Sequence, residues 1–261
     1  MTKPLTPEDR EFLAGYSPDD FAHPSLTVDV VVTTVKDGKL WVLLTKRTEA
    51  PERGFYALPG GFVALDESLD AAAARVLADK AGLSGVYLEQ LYTFGAVDRD
   101  PRHRVVTVTY LALVPADRLT QHPANARLAR IQVPWTGETG GPIHATAPTV
   151  RGYETYDDTE LPLAFDHDAI IGLAVKRLRG KLNYAPVGYE LLPRDFPLRD
   201  LQAIHEAVLD RRLNKDSFRR TILARGQVSS TGRLETGVKW RPAELYRFTA
   251  TQPATQIGNK N

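Results

Sequence analysis

The 261 residues, 43% hydrophobic and 25% charged, are enough for one large or two modest packed domains of ordinary globular composition. The chain has no cysteine, so a disulfide framework, a thiolate nucleophile and a cysteine-based zinc site are excluded; no basic-then-apolar leader and no run approaching about 18 apolar residues is present, and the expectation is a cytoplasmic protein with no membrane partner. The net charge of +1 hides an asymmetry: residues 185–250 hold 12 Lys and Arg against 8 Asp and Glu, residues 1–184 hold 20 against 24, and the C-terminal part is therefore a candidate partner for a polyanion.

Residues 27–36, TVDVVVTTVK, and 40–46, LWVLLTK, are β-branched or apolar runs joined through Asp37-Gly38, which predicts a hairpin. RGFYALPGGFV (53–63) reads as loop and short strand punctuated by Pro59, Gly60 and Gly61, and residues 66–83, DESLDAAAARVLADKAGL, as a helix stopped by Gly82. YLEQLYTFGAV (87–97) and RVVTVTYLALVP (104–115) are further strands, the second apolar enough to be buried on both faces. Residues 134–159, rich in Gly, Pro and Thr, read as a long loop or irregular extension.

Residues 163–182 form an amphipathic helix with Asp166 as N-cap and Ile170, Leu173, Ala174 and Leu178 along one side, placed to bridge two halves. After it come two short helices, 197–210 and 215–226, then VSSTGRLETGVKWRPAELYRF (228–248), two strand-like runs around a loop. Helix, turn, helix, hairpin is the order of a winged helix-turn-helix. The polar, aperiodic tail is expected to be disordered.

Two constellations carry chemistry. From Gly61 the frame runs five residues to Glu67, seven to Arg75, then Val76, Leu77, Ala78, Asp79, Lys80, Ala81, Gly82 and Leu83. With Pro59-Gly60-Gly61 before it, this frame resembles the Nudix box, Gly, five, Glu, seven, Arg-Glu-apolar-any-Glu-Glu-any-Gly-apolar. Carboxylates at 76, 79 and 80 would stand three and four apart on a helix and converge on a divalent cation. Here those positions read Val, Asp, Lys. An ammonium about 4 Å from the ion costs about 4 kcal/mol per unit of ion charge at an effective dielectric near 20, so no catalytic residue and no tightly bound metal is expected. The resemblance implies that Glu67 and Arg75 brace the loop against the helix, and that a pocket for a nucleoside diphosphate linked to another group persists. Candidate contacts to it are Arg47, Arg53, Arg102 and Arg104 for the diphosphate, Gly60 and Gly61 for backbone approach, and Phe55, Phe62, Tyr92 and Phe94 for stacking. Lys80 is a further candidate, meeting phosphate where the metal would stand.

In the second constellation Phe218, Ile222 and nearby Leu223 give a narrow apolar stripe, flanked by Lys215, Ser217, Arg219 and Arg220, residue types that contact phosphates and base edges. Lys239 and Arg241 stand where a wing would lie over phosphates or the minor groove. His103, His167 and His205 form no metal spacing and read as structural or surface residues.

A degenerate Nudix unit followed by a winged helix-turn-helix resembles the bacterial Nudix-related transcriptional regulators of NAD metabolism. The resemblance spans roughly residues 25–250 and includes LPLAFDHDAII (161–171) and YELLPRDFPLRDLQAIHEAVLD (189–210). It implies an α+β chain: a Nudix-like α/β/α sandwich with a mixed sheet at 1–160, a bridging helix at 161–184, a winged helix-turn-helix at 185–250 and a tail at 251–261. It also implies a homodimeric repressor of NAD biosynthesis or salvage genes that reads a palindromic double-stranded operator, with no cofactor and with ADP-ribose or a related NAD-derived nucleotide as effector. Two alternatives stay open: an active Nudix hydrolase of ADP-ribose-like compounds using Glu67 and Asp79, and a nucleotide-binding scaffold whose winged helix docks protein.

Overall fold

The structure, a computed structural model, describes residues 4–120, 122–133, 151–153, 161–182, 187–239 and 241–249. The expected tail and most of the irregular stretch at 134–159 lie outside the described residues. Helix α1 (Pro7–Gly15), not anticipated from the sequence, opens on a reciprocal capping box between Thr6 and Asp9 and buries none of its residues.

Strands β1 (Ser25–Lys36) and β2 (Lys39–Lys46) form the expected hairpin, with Lys36 opposite Lys39 and both turn residues at positive φ, Asp37 at 50° and Gly38 at 67°. Next come β3 (Tyr56–Ala57), β4 (Gly60–Phe62), α2 (Leu69–Ala81), β5 (Tyr87–Phe94), β6 (Val105–Leu113), β7 (Ala126–Gln132) and β8 (Arg151–Tyr153). They build one mixed sheet in the order β5-β6-β1-β2-β7-β8, with β3 beside β2 and β4 beside β1. β1 and β6 run parallel; their neighbours pair antiparallel. β7 was not read from the sequence, and β8 lies inside the stretch expected to be irregular. Its three residues complete the sheet by pairing with β7.

Alternation along the central strands feeds two cores. Val28, Val30 and Val32 of β1 with Val108, Tyr110 and Ala112 of β6 pack under α2, against Ala72, Ala73, Val76 and Leu77. Val31, Leu111 and Leu113 point the other way, toward α3 (His167–Lys181), whose Ile170, Ile171, Ala174, Val175 and Leu178 are buried. Coverage on both faces explains why β1 and β6 are almost continuously apolar. The buried face of α3 is wider than the four-residue stripe expected, because Ile171, Val175 and Arg179 are buried too.

The C-terminal unit holds β9 (Asp195–Pro197), α4 (Leu198–Leu209), α5 (Lys215–Ala224), β10 (Val228–Leu234) and β11 (Glu244–Phe248). Its sheet order is β10-β11-β9, so a strand ahead of the two helices, absent from the sequence reading, completes the winged-helix sheet. Phe196, Leu201, Phe218, Ile222, Val228 and Tyr246 form its core. The two units are joined by α3: Arg179 donates from Nε to the Val208 carbonyl at 3.0 Å and from Nη2 to the Val133 carbonyl at 2.8 Å. From the other side Arg225 Nη1 donates to the Leu182 carbonyl at 3.0 Å.

His205 of α4 is buried edge-on against Phe218, with ring centroids 5.1 Å apart. Burial, aided by the charge of Arg225, pulls its pKa down to about 4 from 6.5. The folded state therefore binds this proton less readily than the unfolded chain, and stability present above pH 6.5 is lost as pH falls toward 4. Replacing His205 with Leu is expected to flatten that part of the pH–stability curve, measured by urea denaturation across the range.

Candidate functional site

The β1–β4 pairing sets the floor of a cleft. Thr27, Val28 and Asp29 of β1 face Phe62, Gly61 and Gly60 of β4, and Pro59 accepts the Val30 amide at 2.8 Å. Asp29 is a buried carboxylate in an otherwise apolar run; Thr107 donates its hydroxyl to Oδ2 at 2.7 Å. Gly60 lies directly against it, since a Cβ there would stand 2.0 Å from Asp29 Oδ1. Thr27, Asp29, Arg47, Leu58, Gly60, Gly61, Phe62, Arg99, Asp100, Arg102, Phe165 and His167 line a solvent-open cleft of about 220 Å³.

The structure thus brings five of the sequence candidates together: Arg47, Gly60, Gly61, Phe62 and Arg102. It leaves six outside the lining. Arg53 and Phe55 project from the loop between β2 and β3, exposed; Arg104 turns its Nη1 to the Ala96 carbonyl at 2.9 Å; Lys80 is exposed on the last turn of α2. Tyr92 and Phe94, edge to face at 5.4 Å, pack against the core beneath α3 instead of into the cleft. Asp29, Arg99, Asp100, Phe165 and His167 were missed. Only Asp29 left a signal, an acid inside a β-branched run.

The cationic side chains of the cleft are held in place before any ligand arrives. Arg102 pairs with both carboxylate oxygens of Asp100, at 3.0 and 2.7 Å, and lies over the Phe62 ring at 5.6 Å. Arg47 donates to the Pro51 carbonyl at 2.9 Å and stacks over Phe165 at 4.7 Å. Arg99, its side chain only 5% exposed, forms a two-point pair with Asp166 and stands 3.8 Å from Asp29. Asp166 does occupy the N-cap position of α3, but it makes no capping bond: its carboxylate pairs with Arg99, and the first-turn amide of Ala169 donates to Asp168 Oδ1 at 2.7 Å. His167, expected to be structural or surface, is buried and lines the cleft. The Leu58 amide donates to its Nδ1 at 3.0 Å, so the neutral ring carries its proton on Nε2, 3.8 Å from Asp29 Oδ1. Burial outweighs the nearby carboxylates and lowers its pKa.

The box itself divides into a brace and an altered ligand row. Glu67 accepts from Arg75 Nε at 3.0 Å and Nη2 at 2.5 Å and from the Ala64 amide at 2.8 Å, and Arg75 also reaches the Phe62 carbonyl at 3.0 Å. These hydrogen bonds, those from Arg75 foremost, hold the Glu67 carboxyl down to about 2. Positions 76, 79 and 80 do not share one solvent face as the helical spacing suggested. Val76 is buried, close enough to Gly61 that a Cβ there would lie 3.1 Å from its methyl, whereas Asp79 and Lys80 are exposed. Among the described residues no three His, Asp or Glu stand where they could hold a metal ion.

On the C-terminal unit, α5 is capped by Asn214, which accepts the Ser217 amide at 3.0 Å. Lys215, Ser217 and Arg220 lie exposed on its outer side, and Lys239 and Arg241 are exposed in the wing between β10 and β11. Arg219 is turned inward by comparison, donating to the Tyr246 hydroxyl at 2.9 Å with Glu244 at 3.7 Å. At the wing's base Arg233 and Arg247 meet Asp195, and Arg199 meets Glu235.

Residues 23–136 match the NUDIX domain family, and residues 188–248 match the NrtR DNA-binding winged helix domain family. Fold and site together define a Nudix domain joined to a winged-helix DNA-binding unit. Over 242 residues the chain is 36% identical to a protein of Acinetobacter baylyi named ADPR responsive transcriptional repressor NtrR, covering 92% of this chain and 88% of that one. It is also similar to the crystal structure of Shewanella oneidensis NrtR complexed with a 27mer DNA, at 34% identity and TM-score 0.68, covering 86% of this chain and 93% of that one. A shorter match, 31% over 152 residues, is to an ADP-ribose pyrophosphatase of Methanocaldococcus jannaschii, covering 58% of this chain and 73% of that one. The chain belongs to the NrtR family of transcriptional regulators.

Two outcomes follow from the geometry. Gly60→Ala drives a methyl into the Asp29 carboxylate and the Val28 carbonyl and is expected to lower the thermal midpoint more than Gly61→Ala, whose Cβ meets one methyl at 3.1 Å. The depressed Glu67 pKa contributes stability that is complete above 4.5 and lost as pH falls toward 2. Glu67→Gln should therefore remove part of the acid sensitivity of the wild-type chain, followed by circular dichroism between those limits.

Proposed function

We propose that the chain is a homodimeric transcriptional repressor of NAD biosynthesis or salvage genes, which grips a palindromic double-stranded operator through α5 and the wing and loosens it when ADP-ribose occupies the cleft. On this reading residues 1–160 sense the nucleotide, 161–184 bridge and 185–250 read DNA. Arg47, Arg99 and Arg102 meet the diphosphate, while Phe62 and Phe165 flank the nucleoside. Lys215, Ser217 and Arg220 enter the major groove, with Lys239 and Arg241 on phosphates and Arg219 buttressing α5 from the wing side.

The single observation that carries this reading is the joining of a three-arginine cleft to a winged helix whose outward face is basic. The relatives named for ADPR response and for a DNA complex support it. The donor set does not fit the divalent ion of hydrolytic Nudix domains: position 76 is an apolar core residue and position 80 an ammonium. The effector is on this view held without being cleaved. The second reading, an ADP-ribose pyrophosphatase using Glu67 and Asp79, draws on the archaeal relative.

Footprinting on the chain's own upstream region, with and without ADP-ribose, tests the first reading; unchanged protection at saturating ADP-ribose would sink it. Incubation with ADP-ribose and Mg²⁺ tests the second, with Val76→Glu/Lys80→Glu as the gain-of-function control. Arg220→Ala is expected to weaken DNA binding across sequences and to reduce the slope of log K against log salt by about 1, as loss of one phosphate contact does.

A further inference from the structure

Asp166 is an N-cap residue that caps nothing. At the N-caps of α1, α2 and α5, Thr6, Ser68 and Asn214 each accept a first-turn amide. Asp166 does not, and its φ and ψ of −97° and 23° lie away from the extended conformation those caps adopt. Aspartate favours that position because its oxygens satisfy amides that have no partner within the helix. Here they pair with Arg99, Nε to Oδ2 at 2.9 Å and Nη2 to Oδ1 at 2.7 Å, and the Ala169 amide turns to Asp168 Oδ1 at 2.7 Å. The residue before it, Phe165, sits at φ 54°, a left-handed conformation that a bulky side chain adopts only when its surroundings impose it. Its amide is tied to Glu52 Oε2 at 2.7 Å, and its ring lies under Arg47. The start of α3 is therefore held in a conformation set by cleft residues.

The far end of α3 is held by the DNA-reading unit. Arg179 links it to the last turn of α4 through the Val208 carbonyl and to the end of β7 through Val133. Asp166 and Arg179 stand 13 positions apart along the helix, about 20 Å at 1.5 Å per residue.

Resting on the ADP-ribose reading above, we propose that Arg99 is shared between Asp166 and the effector's diphosphate, and that Arg179 is the positioning residue that passes the exchange to α4 and α5. A guanidinium fork fits carboxylate and phosphate alike, and the Nε–Nη2 edge that Arg99 gives to Asp166 can serve only one of them at a time. With the cleft empty, Arg99 holds Asp166 off the helix. With a diphosphate bound, Arg99 turns to the phosphate oxygens and Asp166 caps α3. The two pairings exclude each other, so ligand binding biases one against the other, and the helix, pinned at Arg179, carries its changed start to the reading helix.

The test uses the full-length chain and a duplex from its own upstream region. DNA affinity is measured by fluorescence anisotropy with and without saturating ADP-ribose, and ADP-ribose affinity by calorimetry. For Asp166→Ala, freeing Arg99 is expected to tighten ADP-ribose binding several-fold, while the ligand-induced change in DNA affinity shrinks below about twofold. Arg179→Lys is expected to keep wild-type ADP-ribose affinity and to lose the response in the same way. Weaker ADP-ribose binding by Asp166→Ala, or a full wild-type response in either variant, overturns the inference. A purely structural loss would not tighten binding, and because Asp166 lies far from α4, its variant decides the matter even if Arg179→Lys fails to fold. A wild-type chain whose DNA affinity ignores ADP-ribose overturns the functional reading itself, an outcome distinct from a responsive wild type with equally responsive variants.

Discussion

One helix has to satisfy two structures at once. The central strands bury both faces, so α3 must cover what α2 leaves open, and its last turn must also meet the helices of the C-terminal unit. A guanidinium sits at that junction, and burial pushes its pKa down. Such a charge is tolerated where its N–H groups find carbonyl oxygens, which Val133 and Val208 supply from different units. Docking is thereby directional: packing alone would let the winged helix slide on α3, whereas a forked donor bonded to two backbones fixes its angle.

The same economy governs the cleft. Each arginine that lines it is engaged before a ligand comes, by Asp100, by Asp166, or by the Pro51 carbonyl and the Phe165 ring together. An incoming anion meets side chains already in fixed geometry, which reduces the ordering cost of binding, but it must displace carboxylates. Recognition becomes an exchange of partners, and an exchange has consequences wherever the displaced carboxylate is attached. Asp100 belongs to a surface loop; Asp166 begins the helix that ends on the DNA-reading unit.

The Nudix frame has been divided between its two roles. Glu67 and Arg75 keep the bidentate brace that ties the β4–α2 loop to the helix, and Gly60 and Gly61 keep the close approach of β4 to β1 and to Val76. The ligand row has gone elsewhere: Val76 into the core under α2, Lys80 into solvent. A carboxylate restored at 76 would have to be buried among Ala72, Ala73 and Leu77. The substitution at that position is thus part of the packing as well as of the site's chemistry.

The residues by themselves determined whatever depends on neighbours a few positions apart. The Asp37-Gly38 hairpin, the helix stopped by Gly82, and the helix-turn-helix with its hairpin were legible because turn geometry, helix termination and helical period are local properties; the Glu67–Arg75 brace came with the resemblance to the Nudix box. The strands β7, β8 and β9 escaped: they are short or weakly alternating, and only pairing with β2, β7 and β11 makes them strands. The cleft was half legible for the same reason. Gly60, Gly61 and Phe62 came with the box, but which arginines face inward is settled by partners far along the chain. Arg104 is drawn to a carbonyl eight positions away, and Arg99 to an aspartate 67 positions on. No periodicity encodes that choice; it is made when the loop after β5 folds over the start of α3 and two charges with little access to water are left to find each other.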